Sequence, residues 1–428
     1  MQHVCVLGLG YIGLPTAGVL ALNGYQVLGV DVAAHVVETV TNGRIHIEEP
    51  GLHTVVQAAI QSGNLRAAGR PEPADIFIIA VPTPLTPENT ADMRFVVEAA
   101  ESIVPLLRRG NLIILESTSP PGTCAHLLKP ILERSGLTVG PDLHLAHCPE
   151  RVLPGKILRE QIENDRIIGG YDHDSGERAR AMYASFVEGE IFLTDTTTAE
   201  MVKLLENTYR DVNIALANET ALLCERVGVD FWEVAQLANR HPRVHVHSAG
   251  PGVGGHCISV DPWFLVEAAP EVARLIRLAR ERNDGMPAQV VEKIRALVAG
   301  LVTPKIAVLG LAYKGNVDDT RESPAVRIVE LLRAGGLEVA AYDPHVAGEG
   351  TTLDKCLADA DCLVLLTDHD EFCALNPAIF AKGMRRTVML DTRNALDADA
   401  WQAAGFEVHR LGCGRNPGRE ATPQGHTR

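Results

Sequence analysis

The stretch Gly250-Pro251-Gly252-Val253-Gly254-Gly255-His256-Cys257 packs four glycines ahead of a cysteine and reaches Asp261 four residues later. A cysteine buried as packing needs no such setting. Glycines let a backbone wrap closely around a ligand and present a thiol to it, and a positive neighbour stabilises the thiolate, the nucleophilic form. Upstream, Lys203, Asn207 and Arg210 fall at i, i+4 and i+7, so the three leave one face of a helix. A polar helix face is commonly just solvated. The thiol loop changes that balance, because a positive residue such as Lys203 beside Cys257 would hold the sulfur as the thiolate.

Such groups need a frame. The apolar run His3 to Leu9 has the form of a buried strand, Gly8-Leu9-Gly10-Tyr11-Ile12-Gly13 opens a helix through Leu22, Gly24 stops it, and a second strand, Gln26 to Val30, ends at Asp31. Alone, G-x-G-x-x-G says little. With strand, helix and terminal acid it is a dinucleotide site: the glycines admit the pyrophosphate to the backbone, the helix N-terminus stabilises its charge, and Asp31 accepts from the ribose hydroxyls. An acid with no arginine close behind it favours NAD over NADP. Further apolar runs, Asp75 to Val81 and Asn111 to Leu115, end in Pro82-Thr83-Pro84 and Glu116-Ser117-Thr118. Thr83 and Thr118 therefore lie at the ligand-facing ends of strands, where a hydroxyl is as readily a helix cap as a cofactor contact.

The first unit recurs near the other end. Val6 to Gly13 resembles Val308-Leu309-Gly310-Leu311-Ala312-Tyr313-Lys314-Gly315, Val30-Asp31 resembles Tyr342-Asp343, Ala74-Asp75 matches Ala360-Asp361, and Leu115 to Thr118 matches Leu390-Asp391-Thr392-Arg393. The second copy has Ala312 for the middle glycine and gains Lys314, which points to a different phosphate ligand. Between the copies, helical patterns run from Thr198 to Gly228, Phe231 to Ala238 and Ala273 to Arg282. The expected class is α/β, with two Rossmann-like doubly wound domains joined by a central helical domain. The expected boundaries are 1–197, 198–296 carrying the cysteine loop and a dimer interface, and 297–411, with a disordered tail over 412–428.

A length of 428 residues predicts several domains, and a net charge of −15 argues against a nucleic-acid partner. No apolar run approaches a membrane span, and no basic leader precedes the first strand, so a cytoplasmic location is expected. The nine cysteines are scattered without C-x-x-C pairs or zinc spacing, and His241, His245, His247 and His256 lack a carboxylate at ligand spacing. No metal is expected.

Taken together, Gly8 to Gly13, Glu116-Ser117-Thr118, Lys203 with Asn207, the loop to Cys257 and Asp261, and Lys314 to Pro324 resemble the UDP-glucose/GDP-mannose dehydrogenase family over nearly the whole chain except the tail. Within it, His147 to Gly155, Arg210 to Ala215 and Asn239 to Val244 look like the branch acting on UDP-N-acetyl-D-mannosamine. Ile258-Ser259-Val260-Asp261 departs from the UDP-glucose branch, which has Lys before the Asp. The resemblance implies NAD, a UDP-sugar, a homodimer, and four-electron oxidation at C6 through a Cys257 thiohemiacetal and thioester. It implies Lys203, Asn207, Asp261 and Glu150 as catalytic partners, and Gly8, Gly10, Tyr11, Ile12, Gly13, Asp31, Thr83, Thr118 and Arg321 at the cofactor. Arg151, Val152, Lys203, Asn207, Arg210, His241, Arg243, Gly254, Tyr313 and Lys314 fall to the substrate, with the loop around Arg243 serving a partner subunit. Three rivals remain: oxidation of the C2 epimer, UDP-N-acetylglucosamine; a two-electron β-hydroxyacid dehydrogenase, against which Cys257 and the second Rossmann half speak; and a non-catalytic NAD-responsive binding protein.

Overall fold

The computed structural model of the chain describes residues 2–347 and 351–414. It divides into two compact units, Met1–Glu206 with Trp263–Val272, and Asn207–Pro262 with Ala273–Arg428, so the stretch 198–296 is shared between them. Among the described residues no helix is long and apolar enough to cross a membrane.

The first unit is built on β1 (His3–Leu7), β2 (Gln26–Val30), β3 (Leu65–Ala68), β4 (Ile76–Ile79), β5 (Leu112–Leu115), β6 (His144–His147), β7 (Arg166–Gly170) and β8 (Ile191–Asp195). Their order in the sheet is β3-β2-β1-β4-β5-β6-β7-β8. The pairs are parallel except β6 with β7, which run antiparallel. The apolar run of β7 carries no signal of its direction. Both faces of the sheet are covered: Val4, Val6, Ile78 and Ile114 enter one core, while Cys5, Leu7, Phe77, Ile79, Ile113 and Leu115 enter the other. Burial on both sides is why these strands appear as unbroken apolar runs instead of alternating ones.

The second unit carries β9 (Lys305–Leu309), β10 (Glu338–Tyr342), β11 (Cys362–Leu365), β12 (Val388–Asp391) and β13 (Glu407–Arg410), all parallel in the order β10-β9-β11-β12-β13. The expected α/β class with two doubly wound sheets is the one the chain adopts. The repeats seen in the sequence have mechanical meaning. Asp75 accepts the His3 N–H at 2.9 Å, and its counterpart Asp361 accepts the Lys305 N–H at 2.9 Å, so each fixes the start of the first strand of its sheet.

The helices run Thr196–Val227, Phe231–Ala238 and Arg274–Leu297. Gly228 ends the first with φ +78°, a left-handed geometry that glycine adopts without penalty. Asp230 caps the second by accepting the Trp232 N–H at 2.9 Å. The third continues well past Arg282, through Gly285 and Pro287, which read as breakers in the sequence. The proline is accommodated because Val290, Val291 and Ile294 beyond it are buried against the second sheet, and its missing N–H leaves the Asn283 carbonyl without a helical partner. Gly412 to Gly414, read above as the start of the tail, are instead tied down. Gly412 N–H donates to Glu225 at 2.8 Å and Gly414 N–H to the Val229 carbonyl at 2.9 Å. The rest of the expected tail, 415–428, lies outside the described residues.

Gly13 shows how tightly the first turn is drawn, since a Cβ built on it would sit 1.9 Å from the Gly8 carbonyl oxygen. Gly13→Ala should therefore destabilise the protein by on the order of 1–3 kcal/mol, read as a lower urea midpoint, and an unchanged midpoint would show that the turn relaxes freely.

Candidate active site

The first turn of the amino-terminal sheet has the shape a pyrophosphate needs. Gly8, at φ +94°, lies so close to the end of β4 that a Cβ would meet the Ala80 carbonyl oxygen at 2.4 Å, whereas a Cβ on Gly10 would meet nothing within 4 Å. The two glycines thus do different things: Gly8 permits the close turn, and Gly10 leaves open space beside the helix Gly13–Leu22. No side chain caps the start of that helix, and its Leu14 and Thr16 N–H groups donate to the Gly10 and Ile12 carbonyls at 3.1 Å, so what it offers an anion is the positive end of its dipole. Asp31 ends β2, and its carboxylate accepts from Leu9 N–H at 3.0 Å and Ala33 N–H at 2.9 Å, which holds it rigidly at the rim. Tyr11 and Ile12 are half-buried on the turn itself. These features fit NAD. Thr83 and Thr118 come together, the Thr83 hydroxyl donating to the Thr118 carbonyl at 2.7 Å, which ties the two strand-end loops to each other.

Behind them the structure assembles a buried polar cluster that sequence reasoning did not find. Glu116 accepts from the Tyr183 hydroxyl at 2.6 Å and from Thr16 at 3.2 Å. Glu150 accepts from the Arg151 N–H at 2.9 Å, from Gln161 at 3.2 Å and from Arg166 at 3.2 Å. The Arg166 guanidinium also lies 4.6 Å above the Tyr183 ring. Burial, helped by the charge of Glu150, pushes the Glu116 carboxyl up to about 7 against the pull of Arg166, Tyr183 and Thr16. Arg151 forks onto Glu206, with its nearest contact at 2.5 Å, and donates to the Asp165 carbonyl at 3.0 Å. Val152 beside it is half-buried.

Lys203 and Asn207 are 8% and 1% exposed while Arg210 is exposed, so the first two positions of the polar stripe are buried and the third faces solvent. In the second unit the Asn207 amide donates to Asp261 at 2.5 Å and accepts from Arg210, which fixes its orientation. The four-residue spacing from Cys257 to Asp261 is one helical turn, closed by the Asp261 N–H donating to the Cys257 carbonyl at 2.9 Å. The glycines of the thiol loop are required by what they touch. A Cβ on Gly254 would lie 2.5 Å from the Glu322 carbonyl oxygen and 2.8 Å from the Tyr313 Cβ, and one on Gly255 would lie 2.9 Å from the Tyr313 ring. Gly255 N–H also donates to the Arg321 carbonyl at 3.1 Å. Cys257 is exposed. Burial pushes the Cys5 and Cys362 thiols up to about 12 and those of Cys148 and Cys356 up to about 11, which removes them as nucleophiles.

Tyr313 is thus brought to the loop, while Lys314 stands exposed on the second copy of the nucleotide turn. Arg321 pairs with Asp319 at 2.6 Å. His241 and Arg243 are exposed on a separate loop, joined only through the Arg243 N–H to His241 Nδ1 contact at 3.4 Å. The second copy differs from the first at its acid. Asp343 accepts from Leu311 N–H at 2.6 Å, Ala312 N–H at 3.0 Å and the buried His369 ring at 3.0 Å, which hold its carboxylate well below the ordinary range despite burial. With that many donors Asp343 is no longer offered to a ribose.

Two groups of side chains lie at metal-ligand distances, Cys124–His147–Glu200 and His345–His369–Glu371. In the first, Glu200 already accepts the Gly122 and Cys124 N–H groups at 2.5 and 2.9 Å, and the Lys203 charge acts on His147, whose pKa falls to about 3 chiefly through burial. In the second, both ring nitrogens of His369 are engaged, by Asp343 and by the Asn316 N–H. The buried members on the long helix were partly legible: Glu200, Lys203, Asn207, Asp211 and Asn218 recur at spacings of three, four, four and seven in an Ala/Leu-rich helix.

Three family models match the chain. The NAD-binding domain of the UDP-glucose/GDP-mannose dehydrogenase family matches residues 2–187, its central domain 197–285 and its UDP-binding domain 307–398. A UDP-N-acetyl-D-mannosamine dehydrogenase of Methanococcus maripaludis is 49% identical over 97% of this chain and 98% of its own length. An NDP-N-acetyl-D-galactosaminuronic acid dehydrogenase of Ralstonia nicotianae is 47% identical over 93% and 97%. A solved UDP-D-ManNAc dehydrogenase from Pyrococcus horikoshii superimposes with a TM-score of 0.92 at 44% identity, covering 96% of this chain and 100% of that one.

The buried Glu116 has a pH signature. The folded protein holds its proton to about pH 7 whereas the unfolded chain releases it near 4.5, so this contribution to stability is fully present below 4.5 and is lost as pH rises through 7. Glu116→Gln cannot ionise. Its urea midpoint should gain on that of the wild type between about pH 5 and about pH 7.5, and a constant difference would mean that Glu116 does not titrate there.

Proposed function

The chain belongs to the UDP-glucose/GDP-mannose dehydrogenase family, and we propose that within it the chain oxidises the C6 alcohol of UDP-N-acetyl-D-mannosamine to the uronate through a covalent Cys257 intermediate. Membership makes it an NAD-dependent dehydrogenase acting on a UDP-sugar. The mannosamine reading is supported by the names of relatives at 49% and 44% identity. One observation carries the covalent step: an exposed thiol at the end of a glycine loop, one turn before an Asp261 that is hydrogen-bonded to Asn207.

Gly8, Gly10, Tyr11, Ile12, Gly13, Asp31, Thr83 and Thr118 would hold NAD, with Arg321 the further cofactor residue that the family resemblance implies, and a fresh NAD would supply the hydride acceptor for each of the two oxidations. Asp261, through a water molecule and with Lys203 at the developing alkoxide, takes the C6 hydroxyl proton, and loss of hydride leaves the aldehyde. The Cys257 thiolate then bonds to C6. The resulting oxyanion is stabilised by the Lys203 ammonium and by Asn207, whose amide has a second N–H beyond the one given to Asp261. Loss of the remaining C6 hydrogen as hydride turns this adduct into a thioester. Glu150 removes a proton from the water that attacks the thioester, the C–S bond breaks to regenerate the Cys257 thiolate, and the carboxylic acid leaves as the carboxylate after giving its proton to solvent. Holding the aldehyde on sulfur prevents its escape between the two oxidations. Arg151, Val152, Arg210, His241, Arg243, Gly254, Tyr313 and Lys314 bind sugar and phosphates. Arg151 and Arg321 are now paired with Glu206 and Asp319, so ligand phosphates would replace carboxylate partners of similar geometry.

The active form is a homodimer in this reading, with the Arg243 loop serving the partner's site. Its support is an apolar stripe on the long helix, Met201, Leu205, Tyr209, Leu216, Leu223 and Val227, at helical spacing and all exposed. A reducing cytoplasm fits nine cysteines with no disulfide between them.

Purified protein should form two NADH per UDP-N-acetylmannosamine consumed. One NADH would overturn the four-electron route, and preference for the glucosamine, galactosamine or glucose nucleotide would reassign the sugar. Cys257→Ser should lower turnover by about three orders of magnitude or more, and a fully active variant would remove the covalent step. Replacing Leu216 and Leu223 together by Glu should convert the dimer to monomer in sedimentation velocity, and an unchanged sedimentation coefficient would move the interface elsewhere.

A further inference from the structure

The thiol loop begins at Gly250, and a glycine-rich segment has much conformational freedom to lose before it can hold a thiol in one place. The second unit has a fully buried polar chain that ends on this residue. Asp211, Arg280, Asn283 and Asn218 are each 0 to 1% exposed. Arg280 donates to Asp211 Oδ1 at 2.5 Å. Asn283 Nδ2 donates to the same oxygen at 2.8 Å and to the Asp211 carbonyl at 3.0 Å. Asn218 Nδ2 donates to Asn283 Oδ1 at 2.9 Å, and Asn218 Oδ1 accepts the Gly250 N–H at 2.8 Å.

The chain has only one sense. The Asp211 carboxylate is an acceptor, so it draws the NH2 end of Asn283 toward itself. That leaves the Asn283 oxygen facing Asn218, which turns the NH2 of Asn218 toward Asn283 and its oxygen toward Gly250. A second contact reaches the loop from the same place. Pro287 has no N–H to give the Asn283 carbonyl, and that carbonyl oxygen lies 3.3 Å from where a Cβ on Gly252 would be. Asn283 therefore meets the loop directly at Gly252 and through Asn218 at Gly250.

Stability alone does not account for this arrangement. Asp211 Oδ2 and Arg280 Nε are buried with no hydrogen-bond partner among the described residues, and a buried ion pair with unmet polar atoms is commonly no more stabilising than apolar residues of the same size. Its distinctive property is direction and fixed geometry.

We infer that Asn218, oriented by Asn283 and the Asp211–Arg280 pair, is a positioning residue that anchors the start of the thiol loop and thereby sets where Cys257 stands relative to Asn207 and Asp261. The inference rests on the reading of Cys257 as nucleophile for its effect on turnover, but its geometric content does not.

The test uses full-length Asn218→Ala and Asn218→Asp, with Cys257→Ser in parallel. Asn218→Ala should lower kcat by about 10- to 100-fold while the KM for NAD stays within about twofold, because misplacement of a reacting group costs rate and the cofactor cradle is untouched. The rate at which iodoacetamide alkylates Cys257, located by mass spectrometry, should change in the same variant whether or not Cys257 is the nucleophile. Asn218→Asp should regain activity relative to wild type at low pH, where a protonated carboxyl donates to Asn283 and still accepts from Gly250, and should lose it as pH rises and the carboxylate faces the Asn283 oxygen. If Asn218→Ala does not fold, Asn218→Asp assayed across pH carries the test. Wild-type kcat and alkylation in a folded Asn218→Ala would overturn the inference, as would an Asn218→Asp whose relative activity does not vary with pH. A fully active Cys257→Ser would overturn the covalent mechanism instead, leaving the alkylation result to judge the anchor.

Discussion

A buried polar side chain must find a partner or cost free energy comparable to a lost hydrogen bond, and the helix Thr196–Val227 places several inside the protein, Glu200, Lys203, Asn207, Asp211 and Asn218 among them. Four of these recruit a partner. Glu200 takes the backbone of Gly122 and Cys124, Asn207 takes Asp261, Asp211 takes Arg280 and Asn283, and Asn218 takes Gly250. In the proposed mechanism Lys203 and the second Asn207 N–H are left for a ligand's charge. The loops that approach this helix are irregular and glycine-rich, so their positions follow from these bonds more than from packing of their own.

The two sheets show how one scaffold is turned to two purposes. Both have a tight first turn, with Gly8 at φ +94° and Gly310 at +93°, and both end the second strand in an aspartate. The difference lies in who reaches the acid. Asp31 receives two backbone N–H groups, whereas Asp343 receives loop N–H groups and a histidine ring. The first remains an acceptor for a ribose and the second becomes a structural anchor, which agrees with an NAD-binding model over residues 2–187 and a UDP-binding model over 307–398. Ala312 stands where the first copy has its middle glycine, and its N–H goes to Asp343 at 3.0 Å.

β1, β2, β4 and β5, with their counterparts in the second copy, were legible because burial makes them continuous apolar runs that Gly, Pro and Asp punctuate, whereas β3, β6, β7, β8 and β13 were not read as strands. The helix Arg274–Leu297 was cut short in the sequence reading because Gly285 and Pro287 carry strong local penalties that tertiary packing overrides. The direction of β7 and the packed residues Gly412 to Gly414 were not legible, because each depends on a neighbour remote in sequence.

Residue types and spacing by themselves determined the chemistry on offer: a nucleotide turn with its acid, a thiol after four glycines, and a lysine and an amide on one helix face. These are local properties, set by backbone sterics and side-chain period. Tertiary structure alone decided which polar groups are buried together. Glu116 with Glu150 and Arg166, and Asp211 with Arg280 and Asn283, are separated along the chain by up to 72 residues. No periodicity encodes such pairs, because the requirement that joins them, a hydrogen bond for every buried polar atom, acts only after the chain has closed around them.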